Sequence, residues 1–345
     1  MALYLFITII SIVVHFVFII PFIHYLYKKK FQRAFQKTKD AFDKPTPIFD
    51  KFHQIKSGTP VGGGILIIIV TTILFLFFLA TFLYFGIHIY SIYDSIFKEI
   101  TVLLVTFLSF SLLGLYDDLS KIFYFKERHF FGIKLKTKLL LEFVLAMFIS
   151  LLLYFQLGIS IIHIPFIGVF DLSWGYIFFA TFVIVSFANA VNITDGLDGL
   201  SSGVLMIALM SFWAVARSII DVPLSVFIAV WVGGLIAFLY FNIYPARIML
   251  GDTGALSFGA TLAVIGLLLG KSFALPIIGG VFVIEIMSSF MQLLSKRFRK
   301  KKVFIAAPFH LQLQHMGWEE PKIVQRFWII SVAFALIGLM IAFLK

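Results

Sequence analysis

Long apolar stretches separated by short polar ones dominate the chain. A helix needs roughly 20 predominantly apolar residues to cross about 30 Å of hydrocarbon. Ten stretches suit that span: about 3–26, 63–86, 98–115, 138–157, 174–191, 199–216, 223–241, 254–270, 273–294 and 323–344. The fourth contains Glu142 and the ninth Glu285; a lone acid inside a span faces other helices rather than lipid. The pattern predicts an all-α, polytopic integral membrane protein of about ten transmembrane helices. The first stretch is too long for a removable signal peptide and lacks a small-residue cleavage site. Between the fourth and fifth spans, 158–173 (GISIIHIPFIGVFDLS) alternates apolar residues around Pro165 and Gly168. That segment reads as a short outer hairpin against the membrane surface. With no internal repeat and no soluble insertion, 1–345 reads as a single membrane-embedded domain.

Composition narrows the class. The chain is 61% hydrophobic and 13% charged, against about 45–50% and 25% in soluble domains, which excludes an ordinary soluble enzyme, a disordered chain and a nucleic-acid-binding array. The absence of cysteine excludes a disulfide scaffold, thiolate-bound zinc, iron–sulfur clusters and thiol nucleophiles. The net charge of +11 fits either a polyanionic partner or positively charged cytoplasmic loops. With the N-terminus outside, 24 of the 28 Lys and Arg residues fall on the inner side, leaving Lys98, Arg217, Lys271 and Lys345 outside. The expected orientation is therefore N-out, C-out. The inner segment 27–62 begins Lys28-Lys29-Lys30 and contains FQRAFQKTKDAF, which reads as a basic amphipathic helix on anionic lipid. SKRFRKKK (295–302) is a second basic stretch. Topology and headgroup contact account for both; attraction of an anionic substrate is the alternative.

Four inner segments place polar chemistry beside these cations. Asp117-Asp118 closes the third span, NAVNITDGLDGL carries Asn189, Asn192, Asp195 and Asp198, FNIYPARIMLGDTG carries Asn242 and Asp252, and APFHLQLQHMGW carries His310 and His315. Each has an ordinary structural reading alone. An Asp pair at a helix end is a cap or a solvated terminus, DGLDG and GDTG are turns with helix starts, and a His in a basic loop is structural or solvated. Gathered at one membrane face beside lysines, they make a site for a metal and a phosphate ester. Oxygen donors without cysteine suit a hard cation, and Mg²⁺ binds through one or two carboxylates plus substrate phosphates. Among soluble phosphate motifs, no GxxxxGK[ST] is present, and TPVGGG (59–64) lacks a Walker lysine.

These motifs resemble those of the polyprenyl-phosphate N-acetylhexosamine-1-phosphate transferases from Lys56 to Ser331. KSGTPVGGG resembles the family's K-x-G-T-P-T-M-G-G, GLYDDLSK its paired-Asp motif, and NAVNITDGLDGL its counterpart almost unchanged. NIYPARIMLGDTGALSFG resembles N-x-x-P-A…G-D-x-G-S/A. APFHLQLQHMGWEEPKIVQRFWIIS resembles P-I-H-H-H-F-E-L-K-G-W…R-F-W-I-I-S, which favours the branch that uses UDP-MurNAc-pentapeptide. Ten spans with N-out, C-out is also the family's topology.

The resemblance implies that undecaprenyl phosphate attacks the β-phosphate of UDP-MurNAc-pentapeptide, giving lipid I and UMP, with Mg²⁺, at the cytoplasmic face of a bacterial inner membrane. It implies Asp252 as the principal Mg²⁺ ligand and Asp117, with Asp118 beside it, as base or orienter for the lipid phosphate. His310 matches the first His of a triple-His motif and joins these as a catalytic candidate. Asn192, Asp195 and Asp198 would hold nucleotide or metal, Asn242 and Gln292 would line the pocket, and Lys56, Lys121 and Lys136 would contact phosphate or nucleoside. A homodimer is compatible with this reading. The chain departs from the family at Leu311 and Gln312, which replace the second and third His; at Val61 and Gly62; and at Met249, where an aromatic is common. One alternative keeps the reaction and changes the donor to UDP-GlcNAc. Another is a secondary transporter, whose ionisable groups lie near the midplane, often with inverted repeats; here they lie at span ends.

Overall fold

The computed structural model describes residues 1–32, 45–54, 56–123 and 132–344. The amphipathic helix expected over FQRAFQKTKDAF falls almost wholly outside them. In chain order the elements are α1 (Ala2–Lys28), α2 (Pro47–Gln54), α3 (Gly63–Tyr84), α4 (Ile96–Phe123), α5 (Leu135–Leu157), β1 (Ile161–Ile164), β2 (Gly168–Asp171) and α6 (Gly175–Thr194). There follow α7 (Leu200–Ser218), α8 (Val222–Asn242), α9 (Gly251–Leu268), α10 (Leu275–Ile278), α11 (Gly280–Phe298), α12 (Phe309–His315) and α13 (Glu320–Phe343).

Among the described residues nine helices, α1, α3 to α9 and α13, are long and apolar enough to cross a membrane. The remaining expected span, 273–294, is broken at Gly279 into α10 and α11, with Glu285 in the early turns of α11 and Lys296 and Arg297 in its last turn. The hairpin expected at 158–173 is present: β1 and β2 pair antiparallel with Ile162 opposite Phe170.

Burial orders the bundle. A helix apolar on every face must be surrounded, and the most apolar stretches of α8 and α9 are 94% and 89% buried. Those of α1, α5 and α13 are only 33%, 28% and 28% buried; their exposed faces carry residues such as Val13, Leu140 and Leu336, as hydrocarbon-facing surface does. At the centre Trp231 of α8 packs edge-on against Phe107, Phe227 and Phe258, with ring centroids 5.0 to 5.7 Å apart.

Close helix contacts then gather the polar ends. Gly114 of α4 lies directly on the backbone of Asp252 and Thr253, where a Cβ would overlap the Asp252 carbonyl. The backbones of α6 and α9 touch where Phe187 and Ala188 meet Gly259. Two spans, α7 and α8, lie between these helices, so α6 and α9 run antiparallel. Asp195 and Asp252 each lie about 10 Å beyond that contact at 1.5 Å per residue, towards the same end. At that end the segment before α3 docks on the start of α9: Gly62 and Gly63 N–H donate to Met249 O, and Gly64 N–H to Leu250 O.

Candidate active site

Asp117 and Asp118 are consecutive on α4, so their side chains diverge by about 100°, and the two take different partners. Asp117 Oδ1 accepts the Ile133 N–H at 2.8 Å, while Oδ2 meets Lys121 Nζ at 3.1 Å and Lys138 Nζ at 3.0 Å. Asp252 Oδ2 meets the same two ammonium groups, at 2.7 Å and 2.6 Å. Two acids and two lysines from α4, α5 and α9 thus form one cluster. Asp252 and Lys121 are its open side, with side chains 16% and 22% exposed against 3% for Asp117.

Asp118 faces the other way. Its Oδ1 accepts the Asp252 N–H at 3.1 Å, and Oδ2 accepts the Thr253 N–H at 2.9 Å and the Thr253 hydroxyl at 2.7 Å. The residue before α9, Leu250, provides no side-chain cap. Asp118 therefore supplies from another helix the anionic acceptor that free N–H groups at a helix start require.

A second cluster lies beside the α6–α7 turn. Lys56 Nζ donates to Asp198 Oδ1 at 2.7 Å, to Glu320 Oε1 at 2.5 Å and to Gly196 O at 3.1 Å. Glu320 Oε1 also accepts the Asp198 N–H at 2.6 Å, and Asp198 Oδ2 the Ala246 N–H at 3.0 Å. Four chain segments are joined through this buried ion triad, so the charged atoms of Lys56 and Asp198 are committed within the chain. Asn242 and Gln292 are likewise committed within the chain. Asn242 Oδ1 accepts from Gly199 N–H and the Ser202 hydroxyl, and its amide donates to Ile248 O. Gln292 brackets the turn after α11 through Val303 N–H, Phe304 N–H and Phe304 O.

Asn192 and Asp195 stand half-buried near the C-terminal end of α6, one turn apart. One turn before them Asn189 donates to the buried Glu142. His310 is buried against Glu285, and His315 is exposed at the end of α12. Leu311 is buried, and Gln312 Oε1 accepts the Ala306 N–H. Lys136 is exposed and makes no salt bridge to these acids among the described residues, whereas Lys138 joins them. Sequence reasoning missed Lys138, Thr253 and Glu320. Lys138 had a legible signal: it sits four residues before Glu142, hence on the helix face that carries the buried acid.

The donors on Asp117 and Asp252 are all oxygen. Among the described residues no group of three or more acids or histidines forms a cage able to hold a metal by itself. Such a set fits Mg²⁺, which completes its shell with water and substrate phosphates, and the two lysines suit a phosphate-rich ligand.

Residues 100–270 match the family described as Glycosyl transferase family 4. The chain is 38% identical over 322 residues to the phospho-N-acetylmuramoyl-pentapeptide-transferase of Caldanaerobacter subterraneus subsp. tengcongensis, covering 93% of this chain and 92% of that protein. It is 37% identical to the protein of the same name from Rickettsia bellii, and 38% to that from Syntrophus aciditrophicus, each over 83% of this chain and 80% of the relative. The chain belongs to the phospho-N-acetylmuramoyl-pentapeptide-transferase family.

Proposed function

We propose that this chain transfers phospho-N-acetylmuramoyl-pentapeptide from UDP-MurNAc-pentapeptide to undecaprenyl phosphate, giving lipid I and UMP, at the cytoplasmic face of a bacterial inner membrane. The observation that carries the reading is the joining of Asp117 and Asp252 by Lys121 and Lys138 at the half-open end of the bundle, in a chain of this family. Phosphoryl transfer needs alignment of nucleophile and leaving group and neutralisation of charge, and this cluster provides both kinds of group.

An oxygen of the lipid phosphate attacks the β-phosphorus, and the bond from that phosphorus to the UMP oxygen breaks. A phosphate monoester's second ionisation lies near pH 6, so the nucleophile is largely deprotonated at neutral pH. Asp117, held by Ile133 N–H and two lysines, orients the incoming phosphate more than it activates it. Lys121 and Lys138 release the acids in part and bind phosphate oxygens. Asp252, with Asp117 beside it, would hold Mg²⁺. When bound, the ion supplies positive charge to the diphosphate as the leaving group departs. Asp118 fixes the backbone from which Asp252 projects, while Asn192 and Asp195 face the nucleotide from α6. The Lys56–Asp198–Glu320 triad, Asn242 and Gln292 keep the surrounding loops in register. The positive-inside rule supports placing this lysine-rich end in the cytoplasm.

The test uses purified protein in detergent with undecaprenyl phosphate and each of UDP-MurNAc-pentapeptide and UDP-GlcNAc, reading UMP release. Release with the pentapeptide donor, abolished by EDTA and restored by Mg²⁺, is expected. Release from UDP-GlcNAc alone would overturn the donor assignment, and full activity in EDTA would overturn the metal.

A further inference from the structure

Glu285 is a buried acid that the transfer reaction as described leaves without a role. It is fully buried in α11, and both carboxylate oxygens serve one residue. Oε1 accepts the backbone N–H of His310 at 3.1 Å, and Oε2 lies 3.0 Å from His310 Nδ1. An ionised carboxylate only accepts hydrogen bonds, so the nitrogen facing it must carry a proton. The ring's other edge points to the α6–α7 turn: a Cβ built on Gly196 would lie 2.5 Å from His310 Nε2. Gly196 therefore has to be glycine for the imidazole to stand there. Among the described residues no hydrogen bond uses Nε2.

We propose that Glu285 is a positioning residue for His310. It fixes the proton on Nδ1 and leaves Nε2 as an acceptor beside Asp195-Gly196, for an N–H or O–H of the sugar nucleotide. The carboxylate also grips the His310 main chain, so ring orientation and tautomer are set by one side chain, as a carboxylate sets a metal-bound or catalytic histidine. An acid in the ninth span, costly to bury alone, is thereby satisfied at both oxygens. The role for Nε2 rests on the transferase reading; the tautomer does not.

The decisive variant is Glu285→Gln, nearly equal in size. Its carbonyl still accepts the His310 N–H, but its amide donates to Nδ1 and moves the ring proton to Nε2. Solid-state NMR of ¹⁵N-histidine-labelled protein reads the tautomer, with the His310 signal assigned by its loss in His310→Gln. The expected result is Nδ1–H in the wild type, Nε2–H in Glu285→Gln, and recovery of Nδ1–H in Glu285→Asp. Lipid I turnover should fall about 10-fold or more in Glu285→Gln, with less than a twofold further loss when the change is made on His310→Gln. Nε2–H in the wild type, full turnover in Glu285→Gln, or losses that multiply in the double variant would each overturn the proposal. If Glu285→Gln does not fold, the wild-type tautomer and Glu285→Asp decide it by the same signals. Wild-type protein that shows Nδ1–H yet makes no lipid I would refute the transferase reading and uphold the pairing.

Discussion

Asp118 holds Asp252 by its backbone: the Asp118 carboxylate receives the Asp252 N–H at 3.1 Å and both donors of Thr253. The paired aspartates thus divide the labour, one facing the lysines and one fixing the start of α9. Asp118→Ala would leave three donors without their partner, at about 1–3 kcal/mol for each buried group left unsatisfied. It is expected to lower both thermal stability and turnover. Asp117→Asn keeps an acceptor for the Ile133 N–H and is expected to lose turnover with little change in melting temperature. Thermal unfolding in detergent together with UMP release separates the two; equal melting losses would refute the division.

Lys138 meets Asp117 and Asp252, whereas Lys136 is exposed. Lys138→Met is expected to reduce turnover about 10²-fold or more, the usual scale for removing one electrostatic donor to a transferring group. Lys136→Met should remain within about twofold of wild type, a change too small to signal a lost contact. The reverse ranking in a steady-state assay would remove Lys138 from the site.

Breaking a buried ion pair from one side costs about 3–5 kcal/mol, because the partner remains charged and unpaired. Lys56→Met strands both Asp198 and Glu320. A large fall in melting temperature is expected, and Lys56→Met/Glu320→Gln should recover part of it. No recovery would show that the two residues are not coupled.

At the opposite end of the bundle, burial raises the carboxyl of Asp221 above its ordinary value. The residue caps α8 through the Leu224 N–H at 3.0 Å and neighbours Glu99 and Tyr93. The unfolded carboxyl titrates near about 3.9, so over the window above that value the folded chain holds the proton more tightly. Its contribution is fully present below about pH 4 and is lost as pH rises through the folded value. Melting temperature should decline across that window, and Asp221→Asn, which keeps the cap, should flatten the decline. An unchanged slope in the variant would rule Asp221 out as its source.

The membrane spans were legible because hydrocarbon thickness writes itself into run length, and the hairpin because alternation and Pro165 are local signals. The break at Gly279 was not, since Gly279-Gly280 sits inside an apolar run whose average hides it. The paired aspartates, Asn192 and Asp252 could be read as motifs. What each side chain touches depends on helix rotation and on partners more than a hundred residues away. Lys56 illustrates this: nothing near it in sequence points to Asp198 or Glu320. Asn242 and Gln292 hydrogen-bond backbone groups of their own chain, a pairing that leaves no mark in sequence to separate it from lining a pocket.

Lys138 projects inward from α5, while Leu140 and Val144 of the same helix are 61% and 55% exposed on the side that faces hydrocarbon. Lys138, one of the two lysines that bridge both acids, is thus separated from the acyl chains by a single helix, about 10–12 Å across with its side chains. A polyprenyl tail can therefore stay dissolved in the bilayer while its phosphate reaches the acids. The acceptor's search is a lateral one within a plane, and the water-borne donor alone must arrive from bulk.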